Sequence, residues 1–236
     1  MPALIASPPG TGAGTAVRLP TVLWFHGFRS DALAQAAELQ RCAAAGFLAV
    51  GVDAVGHGAR RDASIATRIT EAPGGALEVM LSCVDATIEE LPSAISALVA
   101  IHHADASRIS AVGTSMGAFL IYRAIQRAVS WRAAVALLGS PEWPSAFGPS
   151  LTSVDAYRVP LLSVTASDDQ SVPPLATRRF HERLVHERPV HDGHAHDRAP
   201  TPQAYHELAG SGHLTSAAHW AEAMHVTMSW LQQHAR

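Results

Sequence analysis

An α/β fold is what this sequence predicts: a mostly parallel central sheet with helices on both faces and no large cap domain. Three observations lead there. Short apolar runs at 21–25, 47–52, 108–113, 133–138, 160–165 and 204–208 alternate with stretches of helical spacing, as strands joined by helical crossovers do. The 21–25 run is apolar nearly throughout, the pattern of a strand covered on both sides. At 236 residues with 48% hydrophobic and 16% charged residues, the chain suits one ordinary globular domain with a sizeable core.

Each element has its own warrant. Residues 1–19 read as a loop or loosely held N-terminal arm, because 7–16 are rich in Pro, Gly and Thr. The 21–25 strand runs into His26-Gly27-Phe28-Arg29-Ser30. A helix over 31–45 follows, with Leu33, Ala37 and Leu39 to Ala43 on one stripe, Ser30 or Asp31 to cap it and Gly46 to end it. The 47–52 strand leads into Asp53 and the segment up to Arg61. After a polar loop with Pro73, Gly74 and Gly75, a long helix carries Leu77, Leu81, Val84, Ile88, Leu91, Ile95 and Leu98. It should bend at Pro92, which has no N–H for the ladder. The 108–113 strand precedes a helix over 119–129. Strands at 133–138 and 160–165 bracket an irregular, Pro-rich loop, 139–158, holding Trp143, Phe147 and Tyr157. A helix over 175–185, a His-rich insertion at 186–202, the 204–208 strand and a closing helix over 215–233 complete a single domain, 1–236. No internal repeat is visible.

Composition excludes several partners. A net charge of −3 gives no reason to expect nucleic acid or an anionic membrane, and no run is long and apolar enough to span a bilayer. The N-terminus lacks the basic start and apolar stretch of a secretion signal. Cys42 and Cys83 fall in expected helices, which suits buried thiols in a reducing compartment. A cytoplasmic location is therefore expected. The chain has no lysine and no asparagine while Ala, Arg and His abound. That coding bias lowers the weight of any single histidine.

Chemistry concentrates around Gly113-Thr114-Ser115-Met116-Gly117, a Gly-x-Ser-x-Gly between an expected strand and an expected helix. That context is a nucleophile elbow: the serine occupies a strained turn, and flanking side chains would strike the adjoining elements. A serine hydroxyl needs a base to take its proton and an acid to hold that base. Loops after the last two strands offer both, at the carboxyl edge where sites form in open α/β sheets. His213, after Gly210-Ser211-Gly212, is the expected base. The acid comes from Asp168-Asp169, one of which suits a helix cap instead. Met116 N–H, next to the nucleophile, and Phe28 N–H, from the loop after the first strand, are the expected oxyanion donors. His26 reads as a brace for that loop and Gly27 as a turn residue.

Taken together, His26-Gly-Phe28, Asp53-x-x-Gly-His57-Gly-x-Arg60, Gly113-Thr-Ser115-Met-Gly117, Asp169-x-x-Val172-Pro173 and Gly212-His213 resemble the α/β-hydrolase superfamily. The branch they are most similar to is the small dienelactone-hydrolase-like and prolyl-oligopeptidase-like serine esterases. The resemblance covers the chain from about residue 20, and the order of five motifs makes it specific. It implies that Asp169, three residues before the Val of Val-Pro, is the acid. Dienelactone hydrolases proper use a cysteine where this elbow holds Ser115, and the larger peptidases carry a propeller for which this chain has no room. The resemblance thus implies cleavage of small carboxylic esters through an acyl-serine, with no cofactor. Ala118 stands where relatives often have glycine. A thioesterase or acyltransferase would share the machinery, and a non-catalytic ligand-binding protein would share the fold. Phe28, Arg29 and Met116 are expected to line a small-molecule ester site, and Trp143, Phe147 and Tyr157 either line it with them or pack the 139–158 loop onto the core. The histidines and acids of 181–197 match no strong zinc spacing, so no metal site is expected there.

Overall fold

Two apolar cores lie on opposite faces of one sheet, and the side-chain alternation of each strand feeds both. In β2 (Leu19–Phe25), Leu23 and Phe25 face one core while Val22 and Trp24 face the other. In β3 (Leu48–Val52), Leu48, Val50 and Val52 join the first core and Ala49 the second. This period-two division explains why the runs are apolar throughout. The structure, a computed structural model, describes residues 1–11, 17–187 and 201–236.

Among the described residues the sheet has seven strands, in the order β1-β3-β2-β4-β5-β6-β7. The remaining strands are β1 (Ala3–Ala6), β4 (Ala104–Thr114), β5 (Ala134–Leu137), β6 (Leu161–Ala166) and β7 (Gln203–Leu208). All neighbours pair in parallel except β1, which runs antiparallel to β3. Helix α1 (Ala36–Ala44) and α7 (Ala217–His234) cover the second core through Leu39, Cys42, Met224 and Leu231. The first core takes α3 (Gly75–Ile101), α4 (Met116–Gln126) and α6 (Leu175–His186). Among the described residues, no helix is long and apolar enough to cross a membrane.

Local rules account for most boundaries. The Asp31 carboxylate accepts from Leu33 N and Ala34 N and starts a 3-10 turn, Ala32–Gln35, that leads into α1. Gly46, at φ 92°, ends that helix in the left-handed region. Helix α3 continues through Pro92.

Three elements depart from expectation. Residues 3–6 are not part of a loose arm; they pair with β3, whose outer edge needs a partner for its backbone groups. Four residues next to prolines carry too weak a pattern to show this. Residues 65–71, within the expected polar loop, form α2 (Ile65–Glu71). Only Ile65 of it is buried, so no apolar stripe marks it. The 139–158 segment is irregular as expected, but holds a 3-10 turn, Ser145–Phe147, and a single-turn helix, α5 (Ser153–Ala156). The His-rich insertion lies mostly outside the described residues, which include only 186, 187, 201 and 202 of it.

Candidate active site

Strand β4 ends at Thr114 and α4 begins at Met116, so Ser115 makes the turn alone. Its backbone sits at φ 54°, ψ −111°, a conformation that costs a non-glycine residue about 1–3 kcal/mol. The surroundings impose it. A Cβ on Gly113 would lie 2.0 Å from the Gly117 carbonyl oxygen, and one on Gly117 would lie 2.2 Å from that of Phe25. Ser115 N–H donates to Leu137 O at 2.8 Å and Gly117 N–H to His26 O at 3.1 Å. The elbow is thereby tied to the ends of β5 and β2. Ala118 fits because residue 139 is glycine: a Cβ there would meet the Ala118 methyl at 2.4 Å.

The Ser115 hydroxyl lies 2.9 Å from His213 Nε2, and His213 Nδ1 lies 2.6 Å from Asp169 Oδ2. A carboxylate accepts, so Nδ1 carries the proton and Nε2 turns its lone pair to the serine O–H. Asp169 is 2% exposed, and its Oδ1 receives the N–H groups of Ser171 and Val172, both at 2.8 Å. Three donors converge on a carboxylate that water does not reach, which fixes its orientation. The β6 and β7 loops are stitched together by Ser167 N–H to Leu208 O (3.1 Å), Asp168 N–H to Ser211 O (2.9 Å) and Gly210 N–H to Ser167 Oγ (2.8 Å). That stitching sets the acid against the imidazole. Asp168 points to solvent and accepts from the Ser167 hydroxyl at 2.9 Å. Of the pair, Asp169 is the one brought to His213.

Gly27 brings the loop after β2 against the elbow: a Cβ on it would be 3.6 Å from Ser115 Cβ. The next amide, Phe28 N–H, donates to no other described residue, and neither does Met116 N–H at the first turn of α4. His26 is buried, donates through Nδ1–H to Gly27 O at 2.8 Å, and has its pKa lowered below 6.5, chiefly by desolvation. It braces the loop and does not point at Ser115's partner atoms.

The expected lining residues fare differently. Phe28 is half-buried with its ring 5.3 Å from that of His57, and Arg29 beside it is exposed at φ 62°. The Met116 side chain is buried in the core, so only its amide is available to a ligand. Trp143 is also core, 7% exposed, with the Arg123 guanidinium 4.8 Å above its ring. Phe147 packs on the same core, and a Cβ on Gly74 would touch its ring at 2.6 Å. Of the two readings of the 139–158 aromatics, loop packing is the one that the contacts of Trp143 and Phe147 with α3 and α4 favour, and the Met116 side chain lies in the core. Sequence reading missed the anchor itself. Arg123 binds Asp85 through two bonds of 2.7 Å and donates to Phe147 O at 3.0 Å. Helical spacing places it among buried neighbours, the one available hint. Tyr157 donates its hydroxyl to Leu184 O.

No group of three or more His, Cys, Asp or Glu residues is placed to hold a metal among the described residues. The histidines at 191, 194 and 196 lie outside them. A cavity of about 510 Å³ opens away from this site, between β1, β2, β3 and the second half of α3, with Ile5, Leu23, Val50, Val52, Leu91 and Leu98 in its wall.

A sequence model of the dienelactone hydrolase family matches residues 1–235. The chain belongs to that family. Among curated proteins, none matches. Solved structures share the fold at low identity. TT1662 from Thermus thermophilus is 22% identical with a TM-score of 0.64, over 97% of this chain and 93% of that one. Thermogutta terrifontis esterase 2, seen phosphonylated by cyclosarin, is 16% identical with a TM-score of 0.66, over 98% and 88%. A puromycin-hydrolysing peptidase from Mycobacterium tuberculosis is 19% identical with a TM-score of 0.70, over 99% of this chain and 37% of that larger one. Family membership supports a hydrolytic enzyme of the serine-hydrolase type, and the family's fold is the one the seven-stranded sheet displays.

Proposed function

We propose that this family member is a carboxylesterase that cleaves small carboxylic esters through an acyl-serine. Ser115 Oγ attacks the ester carbonyl carbon while His213 Nε2 takes its proton. The carbonyl oxygen becomes an oxyanion, received by Phe28 N–H and Met116 N–H. Collapse of the tetrahedral species breaks the bond to the alcohol, which leaves with the proton from His213. Water then attacks the acyl group, His213 again takes a proton, and the carboxylic acid departs as Ser115 regains its hydrogen. Asp169 holds Nδ1–H throughout and stabilises the imidazolium that forms twice.

The observation that carries this reading is the unbroken hydrogen-bonded line from Ser115 to His213 (2.9 Å) to Asp169 (2.6 Å). Its geometry lies within the range a nucleophile, base and orienting acid require. The esterase among the structural neighbours is consistent with it. Cys42 and Cys83, both buried and free, suit a reducing, cytoplasmic setting; burial pushes the Cys42 thiol up to about 12. The test is Ser115→Ala. It should abolish turnover of p-nitrophenyl acetate and labelling by a fluorophosphonate, both present in the wild type. Full activity in that variant overturns the proposal.

A further inference from the structure

The segment Asp53-x-x-Gly56-His57-Gly58-x-Arg60 contributes no atom to the Ser115–His213–Asp169 line. It is nevertheless among the most heavily bonded stretches near the site. We propose that Asp53 and His26 are positioning residues that together aim the Phe28 amide at the developing oxyanion. The proposal rests on Phe28 N–H serving as an oxyanion donor.

Gly27 C=O and Phe28 N–H share one peptide plane. In a trans peptide the C=O and N–H project to opposite sides of a rigid unit. The Gly27 carbonyl receives two donors, His26 Nδ1–H at 2.8 Å and Ser30 N–H at 3.2 Å. Fixing that oxygen fixes the N–H at the other end of the plane, which belongs to Phe28. His26 holds its own orientation because its Nε2 accepts from Ala54 N–H at 3.1 Å. Only the neutral tautomer with hydrogen on Nδ1 makes both bonds.

Asp53 secures the far end of the same loop. Its Oδ1 accepts from Ala32 N–H and its Oδ2 from Ala59 N–H, both at 2.9 Å. The loop after β2 is therefore pinned from the end of β3 twice, at His26 and at Ala32, with the Phe28 peptide between the pins. Space for the second pin depends on Gly58, at φ 55°, where a Cβ would lie 2.1 Å from Asp53 Oδ1. His57 fills the gap behind, its ring 5.3 Å from those of both His26 and Phe28, with Nδ1–H donating to Val55 O at 3.0 Å. Gly58 and His57 of this motif thus each serve the clamp. Oxyanion donors act only if aimed before reaction, and a displacement of about 1 Å is enough for a rate loss of about 10²-fold.

Asp53→Asn tests this. An amide keeps one acceptor oxygen but sets an NH₂ against either Ala32 N–H or Ala59 N–H, donor against donor. We expect kcat for p-nitrophenyl acetate to fall roughly 100-fold with KM within about threefold. Affinity for a trifluoromethyl ketone, which forms a tetrahedral adduct, should fall by about the same factor. Ser163→Ala, which removes buried hydrogen bonds elsewhere in β6, reports what lost stability alone does and should leave both quantities near wild type. Where Asp53→Asn fails to fold, His26→Asn and His26→Ala decide. An Asn amide places a donor near the position of Nδ1, so His26→Asn should retain at least tenfold more kcat than His26→Ala. Wild-type kcat and ketone affinity in Asp53→Asn, or equal activity in the two His26 variants, overturns the positioning role. If wild-type Ser115 takes no fluorophosphonate label, the proposed esterase reading falls as well, which separates the two failures.

Discussion

Replacing one oxygen of Asp169 by NH₂ is the sharpest perturbation the site allows. The carboxylate has two tasks, one for each oxygen: Oδ2 accepts from His213 Nδ1–H and Oδ1 accepts from Ser171 and Val172 N–H. Asparagine has one acceptor oxygen and must abandon one task. Keeping its oxygen on the two amides turns the NH₂ to His213, which forces the hydrogen onto Nε2 and leaves Ser115 without a base. Turning the oxygen to His213 sets the NH₂ against two backbone donors in a site water does not reach, at a cost of about 1–3 kcal/mol. The first arrangement is favoured, and it is the wrong tautomer for catalysis. A loss of about 10³–10⁴ in kcat follows, equivalent to about 4–5 kcal/mol of barrier. Steady-state hydrolysis of p-nitrophenyl acetate by Asp169→Asn and Asp168→Asn measures it. Asp168 is exposed and bonded to the Ser167 hydroxyl, so its variant should stay within about threefold of wild type. Retention of more than a tenth of wild-type kcat by Asp169→Asn, or a larger loss in Asp168→Asn, refutes the reasoning.

Other expectations concern the scaffold. Gly139→Ala should destabilise the fold by about 1–3 kcal/mol through overpacking against the Ala118 methyl, 2.4 Å from the new Cβ; Ala118→Gly in the same chain should recover most of that in chemical denaturation. Arg123→Met should lower stability by about 1–3 kcal/mol, because it leaves the Phe147 carbonyl without its donor and removes a cation from the Trp143 ring, while Asp85 keeps Arg127 at 2.8 Å. Acid should weaken the fold through His181, whose Nε2 is bonded to Ser163 Oγ at 2.8 Å and whose pKa burial lowers from 6.5 to about 4. The unfolded chain takes up this proton near 6.5 and the folded chain only near 4. Stability is therefore full above pH 6.5 and declines as pH falls toward about 4, by about 3 kcal/mol in all. Urea midpoints at pH 7.5, 6 and 5 check the sign, and His181→Gln should flatten the profile.

How far the sequence was legible follows from the range of the forces involved. Strand β7 is half-buried and mixed in character, but β2, β3, β5 and β6 announce themselves because burial on both faces leaves a nearly unbroken apolar run. Strand β1 does not, since what recruits Ala3–Ala6 is the open edge of β3, a partner more than forty residues away. Ser115 and His213 stand out because strained turns demand glycines at fixed offsets, and these survive as motifs. Choosing Asp169 over Asp168 needed a family pattern, because two adjacent carboxylates differ only in which way the chain turns them. Trp143 and Phe147 left two readings open because an aromatic in a Pro-rich loop looks the same whether it faces a ligand or a guanidinium. Arg123, in the helix after the elbow, gives that loop its anchor, and a lone arginine in sequence does not declare burial.

One further bond changes how the molecule should be handled. Asp53 N–H donates to the Pro2 carbonyl at 3.3 Å, so the edge of the sheet at residues 3–6 and the clamp beneath the Phe28 peptide meet at a single residue. A bulky fusion at the amino end, or another strand annealing along that margin, bears on Asp53 through that bond, and on the proposed role of Asp53 it should lower kcat. The β7 margin has its own short route, through the stitched loops that carry His213. Tags and partners placed against either border of the sheet should therefore lower the rate of the proposed esterase reaction.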